Sequence, residues 1–185
     1  MCDNHMFIRG SRIITQLMER STLPQLTDNI TRAFPATRRR QHIVHEVQIT
    51  AMSMTPFVGM KMLHVKAVTM SRGNRYECSL QLNGVNYAPA DDNSITIMGS
   101  DNKEYTLEPV TLNDHNAKVR CTCLDFFHRF AQNNNRDQSL VGRAPRPYQR
   151  VTTDRPSVNP TRVPGLCKHL LRVVERLESD GVIIT

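Results

Sequence analysis

Apolar and polar residues alternate along the middle of the chain. Leu63, Val65 and Ala67 alternate with polar side chains, and a longer run alternates from Tyr76 to Leu82. A period of two indicates strands with one buried face. Shorter runs contain Val47 and Ile49, Ile95 and Ile97, Tyr105 and Leu107, and residues 118–123. The pattern predicts an antiparallel sheet of five or six strands, buried on one side.

Glycine and asparagine separate these runs at two places. The sequence RGNR occupies residues 72–75, and GSDN occupies residues 99–102. Both residue types tolerate the positive φ that tight hairpin turns require. We therefore expect hairpin turns at Gly73-Asn74 and at Asp101-Asn102.

Helical periodicity is found in residues 11–34, before the strands. One stripe contains Ile13, Ile14, Leu17 and Met18, and a second contains Leu26, Ile30 and Phe34. Ser21 and Thr22 are suited to cap the second helix, Pro24 fits its first turn, and Pro35 ends it. The sequence predicts two N-terminal helices.

Two more helices are predicted after the strands. Residues 124–132 form a short helix with Phe126, Phe127 and Phe130 on adjacent faces. Residues 167–179 form a longer one with Leu170, Val174 and Leu177 directed inward, and Gly181 ends it. We expect the longer helix to pack against the phenylalanine-rich one.

A long segment, residues 133–164, shows neither period and is predicted to be a loop. Its prolines are Pro145, Pro147, Pro156, Pro160 and Pro164, and its arginines are Arg136, Arg143, Arg146, Arg150, Arg155 and Arg162. A loop of this length has a function of its own or is disordered. Arginine makes bidentate contacts with acidic groups and is enriched at protein interfaces. We therefore expect Arg143, Arg146, Arg150 and Arg155 to bind a partner.

These elements predict an α+β protein in three parts. Residues 1–40 form an N-terminal helical extension, residues 41–117 an antiparallel β domain, and residues 118–185 a C-terminal helical module with the long loop at 133–164.

The charge of the chain favours an anionic partner without identifying one. The formal net charge is +7, which suits nucleic acid, an acidic protein surface, or solubility alone. Residues 38–40 are three consecutive arginines, which form either a solvated linker or a contact with phosphates or acidic groups. No run has the length of a membrane span, and residues 1–12 have no signal-peptide core, so we expect synthesis in a cytoplasm.

Three cysteines and a histidine carry the clearest chemistry. Cys121 and Cys123 form one pair, and Cys167 and His169 form a second pair at the start of a helix. Three thiolates and an imidazole are a closed tetrahedral set for a structural Zn²⁺ ion. Residues 118–185 are therefore predicted to be a zinc-clamped module. His128, and more weakly His115, compete for the fourth position, whereas Cys2 and Cys78 are expected to be free or core residues.

This Cys-x-Cys and Cys-x-His arrangement resembles the SWIM-type zinc finger. The resemblance implies that Cys121, Cys123, Cys167 and His169 bind zinc within a β-hairpin and a helix. Residues 124–166 separate the two pairs, a longer spacer than that family usually has. The family also implies an alternative function as a nucleic-acid-binding module.

A wider stretch is similar to small virion-associated proteins of tailed bacteriophages. It contains VRCTCLDFFHRF at residues 119–130 and RPSVNPTRVPGLCKHLLRVVERLESDGVI at residues 155–183. The resemblance implies a structural component of the capsid, neck, tail or baseplate, located in the virion and partnered by other virion proteins. We do not expect an enzyme, because four protein ligands leave zinc no open position for water.

Overall fold

The computed structural model describes residues 21–33, 46–87, 93–111, 117–147 and 157–184. These residues form an α+β fold. The helices are α1 (Leu23–Ala33), α2 (Leu124–Arg129), α3 (Ala131–Arg136) and α4 (Lys168–Ser179). The strands are β1 (Gln48–Phe57), β2 (Met62–Ser71), β3 (Asn74–Asn83), β4 (Ile95–Met98), β5 (Glu104–Leu107), β6 (Val110–Thr111), β7 (Ala117–Cys121) and β8 (Ile183–Ile184).

The main sheet is antiparallel, as predicted, with the strand order β1-β2-β3-β7. Its four strands in the described residues are fewer than the five or six expected. The difference arises because β4 and β5 are short and pair with each other as a separate hairpin. That hairpin meets the main sheet through a single bridge between Met54 and Gly99. Strands β6 and β8 form a small parallel pair.

Both predicted hairpin turns are present. In the β2–β3 turn the two central residues are Arg72 and Gly73, with φ of 52° and 74°, rather than Gly73 and Asn74. Two consecutive positive φ values belong to a type I′ turn, whose twist matches that of the flanking strands. The β4–β5 turn contains Asp101 and Asn102, and Asn102 has a φ of 62°.

One face of the main sheet forms the core. Its buried residues are Leu63, Val65 and Ala67 of β2, Cys78, Leu80 and Leu82 of β3, and Ala117, Val119 and Cys121 of β7. The predicted inward residues Leu170, Val174 and Leu177 of α4 are buried, together with Val173. Helix α4 lies on β3 and β7 rather than mainly on the phenylalanine-rich helix. The sheet offers it a broad apolar face, which the six-residue α2 cannot.

The helix ends follow the signals in the sequence. At α1, the side-chain oxygen of Gln25 accepts a hydrogen bond from the backbone N–H of Thr22 at 2.9 Å, as in a capping box. At the end of α4, Gly181 has a φ of 70° and Val182 N–H donates to the carbonyl of Leu177 at 2.9 Å. This is the Schellman arrangement that a glycine at this position favours. The helix predicted before residue 21 lies outside the described residues.

The expected helix at residues 124–132 is divided at Phe130, and its second part extends into the predicted loop. Phe130 has a φ of −115°, so α2 ends before it and α3 begins after it. The sequence of α3 contains three consecutive asparagines and no apolar stripe, so it shows no helical periodicity from which the helix could be predicted. The part of the loop that is described is therefore partly helical.

Asn134 joins the two ends of this loop. Its side chain accepts a hydrogen bond from Gly165 N–H at 2.9 Å and donates to the Gly165 carbonyl at 3.2 Å. A second asparagine, Asn159, donates to the carbonyls of Arg129 and Val163. Because Asn134 is fully buried, nothing else replaces these bonds if its side chain is removed.

One apolar cluster contains buried residues of all the predicted parts, from Leu23 to Ile183. The predicted boundary between residues 117 and 118 falls inside β7. The division at residues 40 and 117 stays a prediction.

Replacing Asn134 by alanine should lower the free energy of unfolding by about 3 kcal/mol, since two buried backbone groups of Gly165 would lose their partners. Denaturant unfolding followed by circular dichroism measures the change. Asn135 is exposed on the same helix, so Asn135→Ala is the matched control and should change stability by less than about 0.5 kcal/mol. Equal effects of the two substitutions would contradict a structural role for Asn134.

Candidate metal centre

The four predicted ligands lie at the ends of three secondary-structure elements. Cys121 is the last residue of β7, and Cys123 is the N-cap of α2, where its sulfur accepts a hydrogen bond from Phe126 N–H at 3.3 Å. Cys167 is the N-cap of α4, and His169 lies in the first turn of that helix. The turn between β7 and α2 therefore presents two thiols to the start of α4.

These four residues form a compact buried cluster. Their candidate ligand atoms all lie within 4.8 Å of one another. All three cysteines are free thiols. A tetrahedral zinc site, with Zn–S of about 2.3 Å and Zn–N of about 2.0 Å, has ligand atoms roughly 3.5–3.8 Å apart. The cluster therefore has the donor types and nearly the spacing that a metal ion requires.

His169 faces the thiols through Nδ1. That nitrogen lies 3.9 Å from the sulfur of Cys121 and 3.9 Å from the sulfur of Cys167. The imidazole packs against Tyr76 of β3, with a ring-centroid distance of 4.3 Å. Its Nε2 is buried and has no hydrogen-bond partner among the described residues. Nδ1 is therefore the atom that this histidine offers to a cation.

Hydrogen bonding and burial shift the pKa values of the three thiols in different directions. Hydrogen bonds from Cys121, and then from Cys167, lower the pKa of Cys123. The pKa of Cys121 is raised, mainly by its hydrogen bond with Cys123, and burial raises the pKa of Cys167. A divalent cation would compensate three thiolates at once, which is the ionisation that metal ligation needs.

Asp125 adds a carboxylate near the cluster. Burial raises its pKa, and the guanidinium of Arg129 opposes that effect. The Nε atom of Arg129 lies 2.8 Å from Oδ1 of Asp125. This ion pair lies one turn apart on α2, the helix that begins after Cys123.

The other residues considered from sequence have different surroundings. His128 is exposed and packs edge-on against Phe127, so it is not a member of the cluster. Cys2, His115 and residues 38–40 lie outside the described residues. Among the predicted partner-binding residues, Arg143 and Arg146 are exposed, whereas Arg150 and Arg155 also lie outside the described residues.

Sequence reasoning missed two sets of contacts made by residues of β3 and β7. Cys78 lies opposite Cys121 in the β3–β7 pairing, with 3.8 Å between the two sulfurs. Arg120 donates hydrogen bonds to the carbonyls of Val141 and Arg143, which holds the loop against β7. The alternation in β3 placed Cys78 inward, but only the register of β7 brings it to Cys121.

Comparisons with family models, curated proteins and solved structures found no match to this chain. Among the described residues, none of the helices has the length and apolar character needed to cross a bilayer.

Cobalt(II) provides a spectroscopic test of the ligand set. The wild-type chain should bind one Co²⁺ with the intense charge-transfer and d–d bands of a tetrahedral thiolate site, because three sulfurs converge there. Cys123→Ser and Cys167→Ser should weaken or abolish these bands. His169→Ala should shift the bands, whereas His128→Ala should leave them unchanged. A change on His128→Ala equal to that on His169→Ala would overturn the assignment of the fourth ligand.

Proposed function

We propose that the chain binds one structural Zn²⁺ ion through Cys121, Cys123, Cys167 and His169. The observation that carries this proposal is the convergence of four buried donor atoms within 4.8 Å of one another, from residues at both ends of a long insertion. Three thiolates and one imidazole suit zinc, which accepts soft and borderline ligands in a tetrahedron.

The same arrangement supports a structural role over a catalytic one. Four protein ligands complete the tetrahedron, so no position remains for a water or a substrate. Each of the four residues is at most 5% exposed, which leaves a substrate no approach to the metal. We therefore propose a structural metal and no enzymatic activity at this site.

The zinc ion would act as a clamp at the base of residues 133–164. Asn134 and Gly165 close the same excursion through hydrogen bonds, and Arg120 holds its first part against β7. With its backbone held in this way, Arg143 directs its side chain to solvent, as does Arg146 nearby. A fixed backbone with exposed arginines suits a contact surface, because less conformational entropy is lost on binding.

We propose that this surface contacts other proteins of a tailed-phage particle, at the capsid, neck, tail or baseplate. The assignment to a virion is supported by the sequence resemblance of residues 119–130 and 155–183. The exposed guanidinium groups are suited to acidic surfaces of neighbouring subunits. A SWIM-like nucleic-acid-binding module is the alternative, and the same arginines would then contact phosphates.

Metal analysis tests the zinc clamp. The purified chain should carry about one zinc per molecule, and removal by a chelator should destabilise the fold by several kcal/mol, because metal binding contributes to folding. Thermal unfolding with and without the chelator measures this effect, and Cys167→Ser should reproduce the metal-free behaviour. Zinc that remains stoichiometric in Cys167→Ser would contradict the proposal.

Charge substitutions test the contact surface. Arg143→Gln combined with Arg146→Gln should preserve zinc content and thermal stability, since both side chains are exposed, and should prevent incorporation into particles. Arg72→Gln combined with Arg75→Gln, at the exposed β2–β3 turn, removes the same charge and should leave incorporation unchanged.

A DNA-binding assay distinguishes the alternative. The wild-type chain would then bind duplex DNA, and this binding would weaken steeply as the salt concentration rises. If the Arg143 and Arg146 substitutions weaken it further, the result supports the nucleic-acid-binding module instead.

A further inference from the structure

Cys78 is a buried thiol that lies next to the four-ligand metal site but is not one of its ligands. It is paired with Cys121 in the register of β3 and β7, and the two sulfur atoms are 3.8 Å apart. Both residues are buried free thiols. Cys78 is not one of the four tetrahedral ligands, so the metal site does not explain its position beside Cys121.

The backbone around this pair has the geometry of a cross-strand disulfide. Thr122 N–H donates to the carbonyl of Glu77 at 3.0 Å, one residue beyond Cys121 and one before Cys78. This bond places Cys78 and Cys121 at a non-hydrogen-bonded pair of the antiparallel ladder. Such pairs have Cα atoms about 4.5 Å apart, within the 4.4–6.8 Å range over which disulfides form.

We propose that Cys78 and Cys121 form a reversible cross-strand disulfide, and that this bond removes Cys121 from the metal site. The disulfide itself is inferred from the strand pairing. Its effect on metal binding rests on the proposed zinc site. The site is thereby a place of oxidative modification as well as of metal binding.

The reaction balances with a hydroperoxide as the oxidant. Cys121 loses its proton and attacks hydrogen peroxide, the O–O bond breaks, and the departing hydroxide takes up that proton, so that Cys121 sulfenic acid and water are formed. The Cys78 thiol then displaces water from that sulfenic acid and forms the S–S bond. Two sulfurs lose two electrons in total, and the peroxide gains them.

The backbone geometry is less favourable for a disulfide between two of Cys121, Cys123 and Cys167. A bond between Cys121 and Cys123 would span a single residue, and the sulfur of Cys123 is held by Phe126 N–H at 3.3 Å. Cys167 is the N-cap of α4, so no antiparallel strand pairing sets its backbone opposite Cys121 or Cys123. In contrast, the sulfurs of Cys78 and Cys121 need to approach only from 3.8 Å to about 2.0 Å, while their strands keep their register.

Loss of the metal follows from the change in Cys121. A disulfide sulfur carries no negative charge and does not replace a thiolate as a zinc ligand. Three ligands would remain, and the loop at residues 133–164 would lose its metal clamp but keep the hydrogen bonds of Asn134. Reduction of the disulfide restores the fourth ligand.

Peptide mapping of the oxidised full-length chain tests the inference. The reduced, zinc-loaded protein is treated with hydrogen peroxide, remaining thiols are alkylated, and the chain is digested with trypsin. Trypsin places Cys78 in residues 76–103, Cys121 with Cys123 in residues 121–129, and Cys167 in residues 163–168. The expected product joins the first two peptides, with fragment ions showing Cys123 alkylated, and one zinc is released for each bond formed.

Cys78→Ser and Cys78→Ala are the matched variants. Both should keep zinc when reduced, and should release it at least tenfold more slowly than the wild type under peroxide. A product that links two of Cys121, Cys123 and Cys167 while Cys78 stays alkylated would overturn the inference, as would equal release rates. A reduced wild-type chain without zinc would instead refute the proposed metal function, and peptide mapping would still decide whether the disulfide forms.

Discussion

The antiparallel pairing of β3 with β7 is the constraint from which the site follows. This register sets Cys121, the last residue of β7, opposite Cys78 of β3, and both side chains are buried. The chain then turns directly into α2, whose N-cap is Cys123. Because α4 lies on the same two strands, its first turn meets the two thiols. A shift of β7 by one residue would turn Cys121 to the outer face and separate the donors.

Two kinds of interaction close the long insertion at its base. Asn134 binds both backbone groups of Gly165, and Gly165 packs so closely on Phe130 that a β-carbon there would lie 2.7 Å from the ring. These contacts hold the residues just before α4 against α3. The cysteine and histidine side chains then meet at a point where thiolates repel one another unless a cation is bound. The hydrogen bonds of Asn134 position the residues before α4, and a metal ion would compensate the negative charge of the thiolates.

Much of the fold could be predicted because its signals are local. Alternation in β2 and β3 identified the buried face, and Gly73 and Gly181 marked a turn and a helix end where positive φ is needed. The extra helix α3 and the separate β4–β5 hairpin were not predicted. The asparagines of α3 carry no apolar period, and the partner of a short strand depends on contacts distant in sequence.

The candidate ligands were identified from sequence because donor type and spacing are properties of the chain itself. Cys-x-Cys and Cys-x-His at a helix start predict a tetrahedral site whatever separates them. Only the tertiary structure decided that His169, and not the exposed His128, joins the three cysteines. It also decided that Cys78 lies beside Cys121. Both outcomes depend on strand register and helix packing, which bring together residues that are far apart along the chain.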